Sequence, residues 1–350
     1  MRQFINGTST ILRPTRRTFL AGVAAVAAAP LASPFVARAQ ETALSINTWG
    51  GEWEAAARAN LFDPFTAETG IKIQTVSPVS FAKLAQQVNT GTYEFDVTTL
   101  GAAELVRANQ NGLLEDLEES YPGGLYNNGM GSHAFATLMG WRKDKFGDEP
   151  KSWADFWDVE RFPGKRSLQR YAARVIPIAL LADGVDPKDL YPLDVERAFK
   201  SLDRIKEHVV VWWTAGAQSS QLLRDGEVDM IGIWNTRFFN AQDGGSPVAM
   251  TWNQAILDKA YWVVAKDTPN VENAKKFVAF ATSAAPLAGF AKAQQDGPLN
   301  PASLALIPPD QAERMPTNAR YAEQVVSQDL ENFGIDPAEL TERFEEWVLS

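Results

Sequence analysis

Three consecutive pieces of the chain decide its fold class: Leu44-Ser45-Ile46-Asn47-Thr48-Trp49, the run from Glu52 to Thr69, and Ile71-Lys72-Ile73-Gln74-Thr75-Val76. The first and third alternate apolar and polar side chains, the period of a β-strand. The middle piece has helical spacing and stops at Gly70, a residue type that closes helices because it adopts a left-handed backbone without a Cβ penalty. The pattern then repeats. Phe81 to Asn89 reads as a helix, Phe95 to Leu100 as a strand and Ala102 to Leu114 as a helix. This βαβαβα order implies an α/β fold, a parallel sheet with helices on both faces. Ligands of such sheets bind at the carboxyl ends of the strands, often where the strand order reverses.

A second region begins near Trp141, punctuated by Pro150, Pro163 and Gly164. Val195, Ala198, Phe199, Leu202 and Ile205 lie on one face of a helix with Asp194 as its N-cap. Val209 to Trp213 and Val228 to Trp234 read as strands, with a helix from Gln218 to Arg224 between them. Tyr261 to Val264 is a further strand, and Val271 to Thr282 a helix. The chain closes on a helix with Asp336 as N-cap and Pro337 as its first residue. One hydrophobic core rarely grows to the size of this 350-residue chain, so two lobes are expected.

The N-terminus carries a different message. Thr15-Arg16-Arg17-Thr18-Phe19-Leu20 is a twin-arginine pattern, followed by a short alanine-rich run from Ala21 to Leu31. Ala37-Arg38-Ala39 is a small-x-small cleavage site, so residues 1–39 read as a signal peptide. The run is shorter than the roughly 20 apolar residues of a membrane span. Twin-arginine signals are addresses, not anchors. The body is therefore expected outside the inner membrane, in the periplasm, after crossing it folded. The chain has a formal net charge of −10, and the signal stretch holds five arginines and no acid. An acidic body argues against nucleic acid and anionic lipid as partners. The absence of cysteine excludes disulfides, thiolate metal sites and cysteine nucleophiles.

Enzyme chemistry leaves no positive trace. His133 and His208 stand far apart without metal-ligand spacing, and no nucleophile elbow, Walker A motif or dinucleotide glycine motif is present. No catalytic residue, metal or cofactor is assigned. Paired carboxylates stay open, because 43 acidic residues offer many pairs whose separation a sequence does not report. A secreted hydrolase using two such groups is thus the alternative reading.

Several segments, in order, carry a resemblance. Asn47-Thr48-Trp49-Gly50-Gly51-Glu52-Trp53 opens the set, followed by Phe65-Thr66-Ala67-Glu68-Thr69-Gly70-Ile71-Lys72-Ile73. Ser152-Trp153-Ala154-Asp155-Phe156-Trp157 and Phe162-Pro163-Gly164-Lys165-Arg166 come next. Leu223-Arg224-Asp225-Gly226-Glu227-Val228-Asp229 then leads into Gly232-Ile233-Trp234-Asn235. The set resembles the spermidine/putrescine-type periplasmic solute-binding proteins of ABC importers. The resemblance implies a two-lobed, type II periplasmic-binding fold, each lobe a mainly parallel sheet flanked by helices. Lobe 1 would hold residues 40–142 and about 258–303, and lobe 2 residues 143–257 and about 304–350, with the crossings as hinges. It also implies a monomer that is not an enzyme and that hands a small amine-containing solute to an inner-membrane permease.

In polyamine receptors of this kind, aromatic side chains box the methylene chain and carboxylates hold the ammonium groups. The resemblance places Trp49, Trp53 and Trp234 in the aromatic box. It places Tyr171 and Arg174 where those receptors carry acids. An arginine is electrostatically wrong for an ammonium and right for a carboxylate, which it grips with paired charge-assisted hydrogen bonds. Asp258 falls near another family acid and would hold an ammonium, with Glu52 as a second candidate. Gly101 and Ala103 replace polar or aromatic contacts, which suggests a remodelled pocket. The pattern fits a small zwitterion, an ω-amino acid such as 4-aminobutyrate, with a polyamine as the other ligand class.

Overall fold

The computed structural model describes residues 43–117 and 124–350. The twin-arginine stretch and its cleavage site lie outside the described residues. Eight strands carry the architecture: β1 (Ala43–Asn47), β2 (Lys72–Val76), β3 (Val97–Gly101), β4 (Met130–Arg142), β5 (Arg166–Gln169), β6 (Val209–Trp213), β7 (Met230–Trp234) and β8 (Val248–Val264). Two short strands, β9 (Gly297–Pro298) and β10 (Val326–Ser327), pair with β4 and β8. The order is β2-β1-β3-β8-β4-β7-β5-β6. At one end β1 pairs in parallel with β2 and β3, and at the other β5 pairs in parallel with β6 and β7. Each end is the parallel α/β unit that the alternation along the chain predicts.

β4 and β8 join the two ends. β8 pairs antiparallel with β3 through Tyr261–Val264 and with β4 along most of its length, while β4 pairs antiparallel with β7. The register between β4 and β8 slips twice, between Gly131 and Ala134 and between Thr137 and Met139. Sequence patterning shows only the last four residues of β8 and none of β4. The reason is burial: all but two of the thirteen residues of β4 are buried, so no polar face alternates with an apolar one.

Separate apolar cores fill the two ends. Leu44, Ile46, Phe62, Val97, Trp262 and Phe277 pack in one, and Trp153, Phe156, Leu168, Ile176, Leu202 and Phe344 in the other. Truncating such a residue to alanine costs about 2–5 kcal/mol through lost burial and the cavity left behind. The long helix after β1 is continuous but uneven. It widens at Arg58–Phe62, where the Asp63 amide donates to Arg58 O, five residues back. Pro64 explains this, since its ring lacks the N–H and would crowd a regular turn. Gly70 closes the helix at φ 75°.

Two of the segments that carry the resemblance are framework rather than site. The fully buried Arg166 donates to Phe156 O at 2.8 Å and Gly164 O at 2.7 Å, and also to Phe162 O. Asp229 accepts from the Lys165 amide at 2.8 Å, and a Cβ on Gly164 would come within 2.6 Å of that carboxylate. Asp194 and Asp336 cap their helices as expected, Asp194 accepting from Arg197 N and Asp336 from Ala338 N. No helix among the described residues is long and apolar enough to cross a membrane.

Candidate functional site

The carboxyl ends of β1, β3, β5, β6 and β7 open onto one cleft of about 870 Å³. Asn47, fully buried, aligns three of the chain segments at its rim. Its amide donates to Val76 O and Pro78 O, both at 2.9 Å, and its carbonyl accepts from Ser80 N and Thr98 Oγ1. Beyond it Gly50 (φ 71°) and Gly51 (φ 55°) turn the chain through left-handed backbone that side chains disfavour. That turn projects Trp49 into the cleft.

All six residues singled out from the sequence line this cleft: Trp49, Trp53, Tyr171, Arg174, Trp234 and Asp258. Trp49 is 54% exposed and donates from Nε1 to Thr99 Oγ1 at 3.1 Å; Tyr171, from the other end of the sheet, is 48% exposed. Large aromatic side chains left this open are apolar walls awaiting a partner. Trp53 is half core, packed against Trp262 and edge-on to Phe290. Trp234 stands edge-on to Phe135 and Trp213.

Arg174 and Asp258, read from sequence as grips for opposite ends of a ligand, are paired directly with each other. Asp258 lies on β8 opposite Phe135 of β4, at the crossing between the two ends of the sheet. It accepts from Gln328 Nε2 at 2.8 Å as well as from Arg174. Arg174 is sandwiched, its guanidinium 4.3 Å from the Tyr171 ring centre and 5.5 Å from that of Phe135. Burial raises the Asp258 carboxyl above its ordinary value, with Arg174 and Gln328 only partly offsetting it. A side cavity of about 320 Å³ continues past the pair, lined by Gly101, Ala103, Glu104 and Gln328. Burial raises the Glu104 carboxyl there. Glu52 reaches the main cleft, and Ala103 only the side cavity.

Sequence reasoning missed the deepest part. Arg237 lines the cleft one helical turn after Trp234, and its Nε is buried without a hydrogen-bond partner. Trp53 Nε1, Trp234 Nε1, Gln169 Oε1 and Gln295 Oε1 share that condition and that cleft. Buried polar atoms are normally paired, because leaving them unpaired costs about 1–3 kcal/mol each. Their concentration in one cleft marks where a solute's own polar groups belong. Gly216 makes room, since a Cβ there would lie 2.8 Å from Arg237 Nε and 2.9 Å from the Trp234 ring. His133 and Asp296 also face the cleft, both buried, with Nε2 and Oδ2 3.7 Å apart. The available signal for Arg237 was its spacing, three residues past a strand-end tryptophan.

Among the described residues no group of His, Cys, Asp or Glu side chains could hold a metal ion. Aromatic walls and buried charges at parallel strand ends, between two units joined by crossing strands, define a protein that holds a small polar solute. Known proteins agree. The family model for bacterial extracellular solute-binding proteins matches residues 60–319. A gamma-aminobutyric acid-binding protein of Pseudomonas aeruginosa is 35% identical over 332 residues, covering 91% of this chain and 94% of its own. Spermidine/putrescine-binding periplasmic protein 1 of Haemophilus influenzae is 28% identical over 57% of this chain and 60% of its own. A solved GABA receptor superposes with TM-score 0.82 at 35% identity, over 87% of this chain and 97% of its own. An ABC transporter substrate-binding protein from Bradyrhizobium japonicum USDA 110 also gives 0.82, at 33% identity over 87% and 99%. The chain belongs to the bacterial extracellular solute-binding proteins, the substrate-binding components of ABC importers. These relatives are solute-binding proteins, not enzymes, so the paired-carboxylate hydrolase gives way to a receptor.

Proposed function

We propose that this protein captures 4-aminobutyrate in the cleft and delivers it, as a periplasmic monomer, to an inner-membrane permease. The observation that carries this is the cleft's polarity: the unpaired Arg237 Nε and the Asp258 carboxylate flank exposed aromatic walls. An ω-amino acid has a carboxylate, a short methylene chain and an ammonium, and each has a counterpart. Arg237 takes the carboxylate through charge-assisted hydrogen bonds. Trp49 and Tyr171 cover the methylenes, and Asp258 with the aromatic faces holds the ammonium. Arg174 serves the ligand through Asp258, compensating and orienting that buried acid. The GABA-binding relative at 35% identity supports the same ligand. Three arginines in one cleft, Arg170, Arg174 and Arg237, weigh against a polyamine, which brings only positive charge.

Export by the twin-arginine signal and closure of lobe 1 on lobe 2 about the β4 and β8 crossings complete the proposal. Calorimetric titration with 4-aminobutyrate, putrescine, spermidine and glutamate is the test. Saturable binding of 4-aminobutyrate well ahead of putrescine is the expected result. Tight putrescine binding with none for 4-aminobutyrate would return the protein to the polyamine class.

A further inference from the structure

The inner wall of the cleft holds two buried titratable groups that the proposed ligand scheme does not use, His133 and Asp296. Asp296 is fixed in place by its surroundings. Its amide donates to Ala291 O at 3.1 Å, and the two residues after it form β9, paired with His133 and Ala134 of β4. From the other side Asn235 Nδ2 donates to Gln295 O at 3.2 Å and Asn235 Oδ1 accepts from Ala136 N. The backbone that carries the carboxyl is thus clamped where both units of the fold meet. His133 Nε2 stands 3.7 Å from Asp296 Oδ2, beyond hydrogen-bond distance, and its Nδ1 is engaged by Ser132 Oγ at 3.0 Å. The Phe290 ring packs edge-on against the imidazole. At 3.7 Å neither the imidazole nor the carboxyl hydrogen-bonds the other, so two buried titratable groups lie side by side without a partner that would hold either one ionised.

We propose that Asp296 works as a neutral carboxylic acid that donates a hydrogen bond to the ligand's carboxylate, beside Arg237. The inference rests on the zwitterionic-ligand reading above. Arg237 reaches Asp296 only through its field, with no hydrogen bond between them among the described residues, so its guanidinium stays available to the ligand. A second carboxylate entering beside Asp296 holds the proton more firmly, because two carboxyl groups in contact share one proton rather than ionise together. A protonated acid offers an ammonium group only a neutral carbonyl oxygen and no charge, so the same residue favours the carboxylate end of a ligand over a diamine. An ionised Asp296 would do the reverse.

Burial supports this protonation state: it pushes Asp296 up to about 8, partly offset by Arg237, and drives His133 down to about 4. The other charged groups facing this wall are Arg237 on the helix Asn235–Asp243 and Glu52 on the helix Gly51–Ala57, whose carbonyl accepts from Gln294. Lys259 and the Arg174–Asp258 pair lie on β8 and the helix Ala172–Ala182, lining the same cleft, as do Glu104 and Arg170, the latter paired with Glu345.

The test is titration of 4-aminobutyrate into wild type and Asp296→Asn at about pH 7 and about pH 9, below the titration range of a primary amine. Wild type should bind about tenfold more weakly at the higher pH, one decade per unit above the acid's midpoint. Asp296→Asn, which keeps the shape and a permanent N–H donor, should bind within about threefold of wild type at pH 7 and lose the pH dependence. A flat wild-type profile, or an Asn variant that binds far more weakly at pH 7, overturns the proposal. Infrared difference spectra between wild type and Asp296→Asn give a readout that needs no ligand: a carboxylic acid band at neutral pH is expected, and a carboxylate band overturns it. Failure of wild type to bind 4-aminobutyrate at all would instead remove the ligand reading and leave the infrared result to decide the state of Asp296.

Discussion

Replacing Asp258 with asparagine separates two roles that the cleft assigns to one side chain. The Arg174 and Asp258 side chains are only 12% and 14% exposed and compensate each other's charge. Removing one partner of a buried pair leaves the other charge uncompensated and costs about 3–5 kcal/mol. Unfolding entropy is about 2.1 cal/mol/K per residue, so for a chain of this size that cost lowers the melting temperature by on the order of 5 °C. Gln328 Nε2, which donates to Asp258 at 2.8 Å, keeps an acceptor in the asparagine carbonyl, so the loss is chiefly electrostatic. The ligand's ammonium simultaneously loses a charged partner, about 1.5–3 kcal/mol or roughly 10- to 100-fold in affinity. Calorimetry measures the first effect and calorimetric titration the second. The double variant Arg174→Gln/Asp258→Asn should recover most of the melting temperature, because no unpaired charge remains, yet still bind 4-aminobutyrate weakly. If Asp258→Asn melts like wild type, the pair is not a compensated buried pair. If it binds 4-aminobutyrate as wild type does, the ammonium sits elsewhere.

Arg237→Ala should weaken 4-aminobutyrate by at least tenfold with little change in the melting temperature of the empty protein, since its Nε makes no hydrogen bond there; unchanged affinity by titration would move the carboxylate away from it. Trp49→Ala should lower affinity about tenfold and leave stability intact, because the ring is 54% exposed and donates only one bond, to Thr99. Stability of the empty protein should carry the mark of Asp296 and His133. Asp296, raised to about 8, keeps its proton in the folded state while the unfolded chain has lost it, so stability falls as pH rises toward 8. His133, lowered to about 4, works oppositely, its contribution falling as pH drops from about 6.5 to about 4. The two oppose each other below about pH 6.5, leaving a net loss on the order of 2 kcal/mol between about pH 6.5 and 8 that Asp296→Asn should abolish in denaturant melts. Small-angle scattering should give a smaller radius of gyration with saturating 4-aminobutyrate than without; an unchanged radius argues against hinged closure.

Local chemistry settled much of this protein before any tertiary contact. The strands β1, β2, β3, β6 and β7, the helices that follow β1, β2, β3 and β6, and the helices capped by Asp194 and Asp336 follow from periodicity, caps and a glycine stop at Gly70, all short-range effects of backbone geometry. Trp49 and Trp234 were legible from their positions at strand ends together with the family resemblance, since the carboxyl ends of parallel strands form the sheet's ligand-binding edge; Trp213, which also lines the cleft, was not. Tertiary structure decided the rest. β4 is almost wholly buried and β8 mixes buried and half-exposed residues without regular alternation, so the period that betrays a strand is absent and only pairing reveals the crossing. Arg174 and Asp258 lie 84 residues apart, and their types suit a ligand as well as they suit each other; proximity alone makes them a pair. Asp296 and His133 carry no motif at all. Their neutrality comes from desolvation, a property of everything packed around them and of nothing in their own neighbourhood of sequence.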